Sequence, residues 1–291
     1  MTWLLWLAVV VGALVVIAIG LKVVGAIRWD ALIRTHVSQL ESGRVDAHNR
    51  PSSPTHFDAR ELEGLPAPVQ RYFRAALTDG QPIIGAATIE MTGTINLSTV
   101  DAQWKSFASH QHVVTRRPGF LWDAKVNMIP GMHACVEDSY IAGEGRLIAK
   151  LLGLFTVADA RGGSEIARGE FMRWFAEAAW YPTALLPSQG VRWEAIDDAS
   201  ANATIVDGPI TLTMLFRFND AGLIASVRAE SRGAGVGNAM VMQPWECGLS
   251  DYQRQDGMLI PMAGEAAWVR PEGRNAYFHG SVTALMYELS R

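Results

Sequence analysis

The chain opens with an uninterrupted apolar run. Residues 3–21 carry no charged side chain, and the run continues after Lys22 to Ile27. A helix of about 20 apolar residues crosses the ~30 Å hydrocarbon layer of a membrane. Tryptophan favours the membrane interface, and tryptophans stand at both ends of the run: Trp3, Trp6 and Trp29. The pattern predicts one transmembrane helix over residues 3–27, without the basic start and polar cleavage site of a signal peptide.

A more polar stretch follows the apolar run. Residues 28–41 are predicted to continue as a helix, and residues 42–64 are poor in apolar side chains and contain Pro51 and Pro54. Such a composition is typical of a linker, so we expect a juxtamembrane helix and linker over 28–64. A second helix is predicted from Pro66 to Leu77, since proline is tolerated in the first turn. This helix begins a soluble domain that we place at residues 65–291.

From Gly85 onward the apolar period changes to two, which is typical of β-strands. In the stretch 223–232 the alternation places Val227 and Ala229 on the apolar side and Arg232 on the polar side. Short turns between such stretches indicate an antiparallel meander. The predicted strands are 88–97, 104–115, 119–129, 132–136, 145–151, 202–206, 210–218, 223–232, 245–253, 265–269 and 276–289.

One amphipathic helix interrupts the strands, between Ser164 and Pro182. Its apolar stripe has the spacing of one helix face and consists of Ala167, Phe171, Trp174, Phe175 and Ala178. A helix with a large aromatic stripe between two runs of strands is expected to cover the sheet. The sequence therefore predicts an α+β fold with a large, twisted, half-barrel-like antiparallel sheet. Both soluble-domain helices would pack on its concave face, beside one N-terminal transmembrane helix.

Charge and cysteine content narrow the function classes. The net charge is −4 with both signs interspersed, and no basic block indicates nucleic-acid binding. Cys135 and Cys247 form no zinc motif or disulfide framework, so one bridge or two buried thiols remain open. The basic residues nearest the apolar run all follow it: Lys22, Arg28 and Arg34. The positive-inside rule then favours a single-pass protein of the inner membrane with a cytoplasmic domain over a periplasmic one.

Three sequence patterns are candidate catalytic, metal-binding or phosphate-binding sites. Glu170, Arg173 and Glu177 share one flank of the amphipathic helix, as either a general acid/base cluster or a surface ion-pair ladder. His110 and His112 share a strand face, and with His133 they could form a zinc site or stay solvated. No spacing reinforces the zinc site, and we predict neither a metal nor another cofactor. The glycines from Gly233 to Gly237 precede no helix, so a hairpin is expected there rather than a phosphate loop.

The aromatic side chains suggest a different role. A curved sheet with a helix on it can enclose an apolar cavity, and a membrane tether would place that cavity beside lipid. We therefore predict non-catalytic binding of a hydrophobic small molecule or lipid, with the bilayer as partner. A hydrolase-like enzyme using Glu170, Arg173 and Glu177 and a membrane-tethered scaffold are the alternatives. The predicted ligand-binding side chains are Trp122, Phe171, Trp174, Phe175, Trp180, Phe216 and Trp245.

Several phrases of the sequence together resemble a known family. They are Leu65-Pro66 through Arg71-Tyr72-Phe73, Gly119 through Ala124, Gly143-Glu144-Gly145, Gly169-Glu170 with Arg173 through Pro187, Gln243-Pro244-Trp245 and Ile260-Pro261. The chain resembles a bacterial family of single-pass membrane-anchored proteins described only as a domain of unknown function. This resemblance implies no activity and no catalytic residues. The predicted strand layout is also similar in outline to periplasmic lipoprotein-carrier half-barrels. Because those carriers act outside the inner membrane, a cytoplasmic domain would count against this comparison.

Overall fold

A computed structural model describes residues 2–48, 54–98, 102–162, 164–236 and 239–290. Its α-helices are α1 (Thr2–His48), α2 (Ala67–Ala76) and α3 (Ser164–Ala176). Strands of the first half are β1 (Ile84–Asn96), β2 (Trp104–Val114), β3 (Gly119–Ile129), β4 (Met132–Ile141), β5 (Glu144–Leu151) and β6 (Phe155–Arg161). Those of the second half are β7 (Arg192–Asp197), β8 (Ser200–Asp207), β9 (Ile210–Phe218), β10 (Ile224–Val236), β11 (Ala239–Gln255), β12 (Met258–Arg270) and β13 (Gly273–Leu289).

All thirteen strands belong to one antiparallel sheet. The order is β6-β5-β4-β3-β2-β1-β13-β12-β11-β10-β9-β8-β7, so the sheet is open and its edges are β6 and β7. Most neighbours are consecutive hairpins, as the short turns predicted; Gly131, for example, has the positive φ of +80° that its turn requires. The first strand pairs with the last, which joins the two halves. The predicted α+β fold with a large antiparallel sheet is confirmed.

The inner face of the sheet is the face covered by α2, α3 and the 3₁₀ turns that follow α3. Phe171 of α3 stacks on Tyr140 of β4, with ring centroids 5.1 Å apart. Phe175 of the same helix meets Phe216 of β9 at 5.4 Å. Strands near both edges of the sheet thus contact one helix, which requires the sheet to curve around it. The main hydrophobic core lies in this concavity.

Helix α1 packs against the opposite, outer face. The Trp29 indole donates a hydrogen bond to Asp123 Oδ1 at 2.8 Å. His36, 6% exposed, contacts the fully buried Glu137 through Nδ1 at 2.7 Å. Arg146 Nη1 lies 2.6 Å from Nε2 of the same ring. Because Arg146 can only donate, His36 must accept at Nε2 and donate from Nδ1 to Glu137. These contacts fix the second half of α1 to the sheet.

The described parts of the segment expected as a juxtamembrane helix and linker include residues that pack against the sheet or in the main core. Helix α1 is continuous to His48, and residues 49–53 lie outside the described ranges. Beyond them Phe57 and Leu62 are buried in the main core. The first half of α1 is exposed, and within the described residues it is one helix long and apolar enough to cross a membrane. A signal sequence near the N-terminus meets the same criteria of length and composition.

Helix α1 meets the sheet at one end of strands β1 to β6, which we call the helix-entry rim. The rim consists of the β3–β4 and β5–β6 connections and of the adjoining described ends of β1 and β2. At the β5–β6 connection, a side chain on Gly25 would clash with the carbonyl oxygen of Leu152. Glycine at this position therefore permits close contact between helix and turn. From there α1 runs to the far end of the sheet, where Arg44 pairs with Glu288 at 2.7 Å.

The two cysteines lie on opposite faces of the sheet. Cys135 packs on the outer face with Trp29 and Ile148. Cys247 belongs to the main core on the inner face. Both are buried free thiols, so the pairing that the sequence left open does not occur.

Candidate functional site

A cavity of about 290 Å³ lies on the inner face, beside α3. This volume is close to the lower end of the ~300–1,000 Å³ range of small-molecule pockets. Its walls come from β1, β3 to β5 and β10 to β13. The aromatic side chains that line it are Trp122, Trp180, Trp245, Trp268, Tyr277 and Phe278. Small residues of β12, Gly264 and Ala266, leave the space that the aromatic side chains surround.

The flank of α3 that faces this cavity is the polar one. Glu170, Arg173 and Glu177, which the sequence placed on one flank of the helix, all line the cavity. Each of the three side chains is no more than 14% exposed. The structure therefore brings these three candidates together at a buried, polar floor under aromatic walls.

Arg173 is the centre of this floor. Its Nε donates to Glu177 Oε1 at 2.8 Å, and its Nη1 pairs with Asp138 of β4. Gln111 donates to the other Glu177 oxygen at 2.7 Å. Burial by itself lowers the pKa of Arg173, but the carboxylates of Glu177 and Asp138 outweigh it and raise that pKa. Arg173 is therefore a permanent charge whose partners are already in place.

Glu170 has the opposite electrostatics. Burial, followed by the nearby Asp138 carboxylate, raises the pKa of Glu170 well above its ordinary value. Glu170 Oε2 and Asp138 Oδ1 are both buried with no hydrogen-bond partner. A proton carried by Glu170 and directed at Asp138 would satisfy both oxygens. Burial and the neighbouring carboxylate therefore both favour the neutral form of Glu170.

Arg232 completes the site and was not anticipated from the sequence. A β-bulge in β10, between Ala229 and Arg232, inserts one extra residue against β11. Because side chains alternate along a strand, the extra residue turns Arg232 from the polar side to the inner face. There its guanidinium lies 4.5 Å from the Trp245 ring centroid. Its Nη2 is 3.8 Å from Glu170 Oε1, which is an ion pair but not a hydrogen bond.

The seven predicted ligand-binding side chains separate into two groups. Trp122, Trp180 and Trp245 line the cavity. The other four do not line it and are at most 1% exposed in the packed core: Phe171, Trp174, Phe175 and Phe216. The stripe of α3 is fully used in packing against the curved sheet. The expected hollow under that stripe is therefore filled, and the cavity lies on the neighbouring flank of the helix.

The histidines do not converge. His110 and His112 are adjacent on β2, with ring centroids 4.6 Å apart, whereas His133 is near the start of β4. Within the described ranges no group of three His, Cys, Asp or Glu side chains could hold a metal ion. Of the glycine stretch, residues 233–236 are the last part of β10 and pair with β11, and Gly237 lies outside the described residues.

Known structures share the outline of this fold. One is a domain from Vibrio parahaemolyticus named for outer membrane lipoprotein sorting, at 11% identity and a TM-score of 0.39, covering 70% of this chain and 86% of its own. Another is the LolA superfamily protein NE2245 from Nitrosomonas europaea, at 8% identity and a TM-score of 0.41, covering 77% and 93%. At these identities the likeness concerns the fold alone.

No curated protein matches the chain. The resemblance carried by the sequence phrases is nevertheless confirmed by a family model that spans most of the chain. Residues 63–287 match this model, and the chain belongs to DUF6920, a family of unknown function.

Proposed function

We propose that this protein binds a hydrophobic or lipid-like molecule at a membrane surface without transforming it. The observation that carries the proposal is the cavity itself, with six aromatic side chains around a space of about 290 Å³. Predominantly apolar walls with a few polar groups are typical of sites for such ligands. A scaffold whose aromatic residues only fill a core would not need this space.

The membrane tether in this proposal is residues 3–27 of α1. Large apolar side chains exposed near the helix-entry rim support it. Ile129 is 60% exposed and Phe155 is 57% exposed, and Leu97 and Trp104 lie at the same end of the sheet. Exposed apolar tips beside an apolar helix fit the interface of a bilayer.

The cavity extends toward the same end of the sheet. Ile95, which lines it, is the second-last residue of β1, and Trp268 is near the end of β12. Phe278 pairs with Ile95 across the β1–β13 ladder. A ligand that leaves the bilayer at this rim would therefore have a short path to the aromatic walls.

The test is native mass spectrometry of the full chain, extracted in a mild non-ionic detergent. The full chain is needed because the second half of α1 is part of the fold. Wild-type protein should retain an apolar adduct, and Ala266→Phe, which places a ring in the cavity, should lower the bound fraction several-fold. Ala263→Phe is the matched control, because Ala263 is on the same strand but does not line the cavity. No adduct on wild type, or equal adducts on both variants, would contradict the proposal.

We also propose that the folded domain lies on the cytoplasmic side of the inner membrane. The support is the group of basic residues that follows the apolar run, beginning with Lys22. A reporter that is active on one side of the membrane only, fused after Arg291, tests this. Activity of a periplasmic reporter would reverse the assignment.

One observation favours a second candidate function, a hydrolase-like enzyme. A neutral carboxyl group at Glu170 faces a cavity that also contains Glu177, as general acid/base chemistry requires. Against it, both Glu177 oxygens are occupied by Arg173 and Gln111. The only thiol in the cavity lining, Cys247, has its pKa raised by burial to about 12. Turnover of an ester or amide that is lost in Glu170→Gln, with ligand binding retained, would establish the enzyme.

A further inference from the structure

The cavity contains one buried charge that its surroundings leave incompletely paired. Arg232 is 8% exposed, and its Nη1 is buried without a hydrogen-bond partner. A buried donor without a partner destabilises the folded state, and more so when it is charged. When such a group lies in a cavity wall, a bound molecule is a natural candidate for its missing partner.

The other charged groups of the lining have closer partners. Asp138 and Glu177 both pair with Arg173. Glu265 pairs with Arg274 and with His279, the latter at 3.1 Å. Among the described residues that line the cavity, the positive charge of Arg232 is thus the one without a hydrogen-bonded counter-ion.

Glu170 does not serve as that counter-ion. The nearest approach, from Arg232 Nη2 to Glu170 Oε1, is 3.8 Å and leaves Nη1 free. Burial and Asp138 favour the neutral form of Glu170, as described above. An acid in that form neither repels an arriving anion nor neutralises the guanidinium beside it.

The position of Arg232 is held by packing. Its guanidinium stacks on Trp245, whose indole in turn donates to Tyr277 Oη at 2.9 Å. The guanidinium plane is therefore oriented before a ligand arrives, and an oriented arginine matches carboxylate and phosphate oxygens well. The surrounding aromatic walls suit a chain rather than a second polar group.

We propose that Arg232 binds the anionic head group, a carboxylate or phosphate, of an amphiphile whose apolar chain occupies the aromatic part of the cavity. This inference rests on the proposed ligand-binding function and gives its ligand class. The head group accepts hydrogen bonds from Arg232 Nη1, and the chain lies against Trp122, Trp180 and Trp268. Neutral and cationic amphiphiles of the same length satisfy the chain but leave the guanidinium unpaired.

The test is calorimetric titration of the full chain in a non-ionic detergent with dodecanoate, dodecyl phosphate, dodecanol and dodecyltrimethylammonium. Since a hydrogen bond to a charged group contributes about 1.5–3 kcal/mol, at least one anion should bind about tenfold or more tighter than dodecanol. Acetate and inorganic phosphate distinguish a free-anion site from a head-group site, because without a chain they should bind far more weakly.

Two variants then assign the effect to the residue. Arg232→Met should reduce the affinity for the anions to that for dodecanol, while the affinity for dodecanol stays the same. Arg228→Met is the matched control on the same strand, outside the cavity lining, and should behave as wild type.

Several outcomes would overturn the head-group site while leaving the apolar binder intact. One is equal binding of anions and dodecanol by the wild-type protein, a comparison that does not depend on whether a variant folds. Others are inorganic phosphate binding as tightly as dodecyl phosphate, or an anion preference that survives in a folded Arg232→Met. Failure of every chain-bearing ligand to bind would instead remove the proposed function itself.

Discussion

The neutral state of Glu170 can be tested through the pH dependence of stability. A carboxyl group whose pKa is raised on folding binds its proton in the folded chain at pH values where the unfolded chain has released it. Unfolding therefore releases a proton, and the free energy of unfolding falls as pH rises. The window opens near the unfolded glutamate pKa of about 4.3 and closes at the raised pKa of the folded state.

The variant that isolates this effect is Glu170→Gln. Glutamine has nearly the same shape, and its amide can donate to Asp138 as a protonated Glu170 can. When the folded chain holds one more proton than the unfolded chain, the free energy of unfolding changes by about 1.4 kcal/mol per pH unit. Wild-type protein should therefore lose about 1 kcal/mol relative to the variant between pH 5 and pH 6, since little of the unfolded glutamate is still protonated there.

The assay is urea denaturation of the full chain in non-ionic detergent, followed by tryptophan fluorescence at each pH. Taking the difference between variant and wild type removes the contributions of titrating groups that do not interact with Glu170. Glu165→Gln, at an exposed position of the same helix, should give a difference that does not change with pH. Parallel curves for wild type and Glu170→Gln would refute the assignment of a neutral carboxyl group.

Three further predictions concern α1, the cavity thiol and the rim. Gly25→Ala should lower the free energy of unfolding by more than about 1 kcal/mol in urea denaturation, because the new methyl group meets the β5–β6 turn. Gly20→Ala, with open space around it, should not lower it. Equal free energies of unfolding for the two variants would show that α1 does not dock as described. Cys247, with a pKa of about 12, should resist iodoacetamide at pH 8 until the chain is unfolded, and rapid alkylation of native protein would contradict its burial. The emission of an environment-sensitive dye attached to Ile129→Cys should shift to the blue in lipid nanodiscs. The same dye on Met286→Cys, which is exposed toward the far end of the sheet, should show no such shift. Equal emission spectra for the two variants would argue against a membrane-facing rim.

Alternation along the sequence predicted the central strands because their two faces have different environments. The predicted strand from Gly119 to Ile129 is β3 with the same bounds, and its inner side chains Phe120, Trp122, Ala124 and Val126 are all buried. The edge strands β6 and β7 were not predicted, because both of their faces have similar environments. Nearly all of their residues are exposed or half-buried, so no apolar period marks them.

The polar cluster was visible from the sequence only where its members share a helix. Glu170, Arg173 and Glu177 stand three and four residues apart, a spacing that placed them on one flank. Asp138 and Arg232 come from strands far away in sequence, and no local pattern connects them to α3. For Arg232 the alternation pointed to the wrong face, because a bulge is not visible in an apolar pattern.

The outer-face contacts of α1 were equally hidden. His36 and Glu137 are 101 residues apart, and a histidine in a mostly polar helix gives no sign of burial. The apolar run was evident, but its continuation as a packed element depends on partners elsewhere in the chain. Composition therefore predicted a linker over residues 42–64, and it gave no sign that Phe57 and Leu62 are buried in the main core.

A helix of 47 residues without interruption is about 70 Å long, and its second half is fastened along the sheet. In the proposed arrangement the domain cannot swing on this stalk, so the height and tilt of the aromatic chamber above the bilayer follow from how α1 sits in it. The protein would serve only the membrane that holds it, and any further transport of its cargo would need a second carrier to come to the rim.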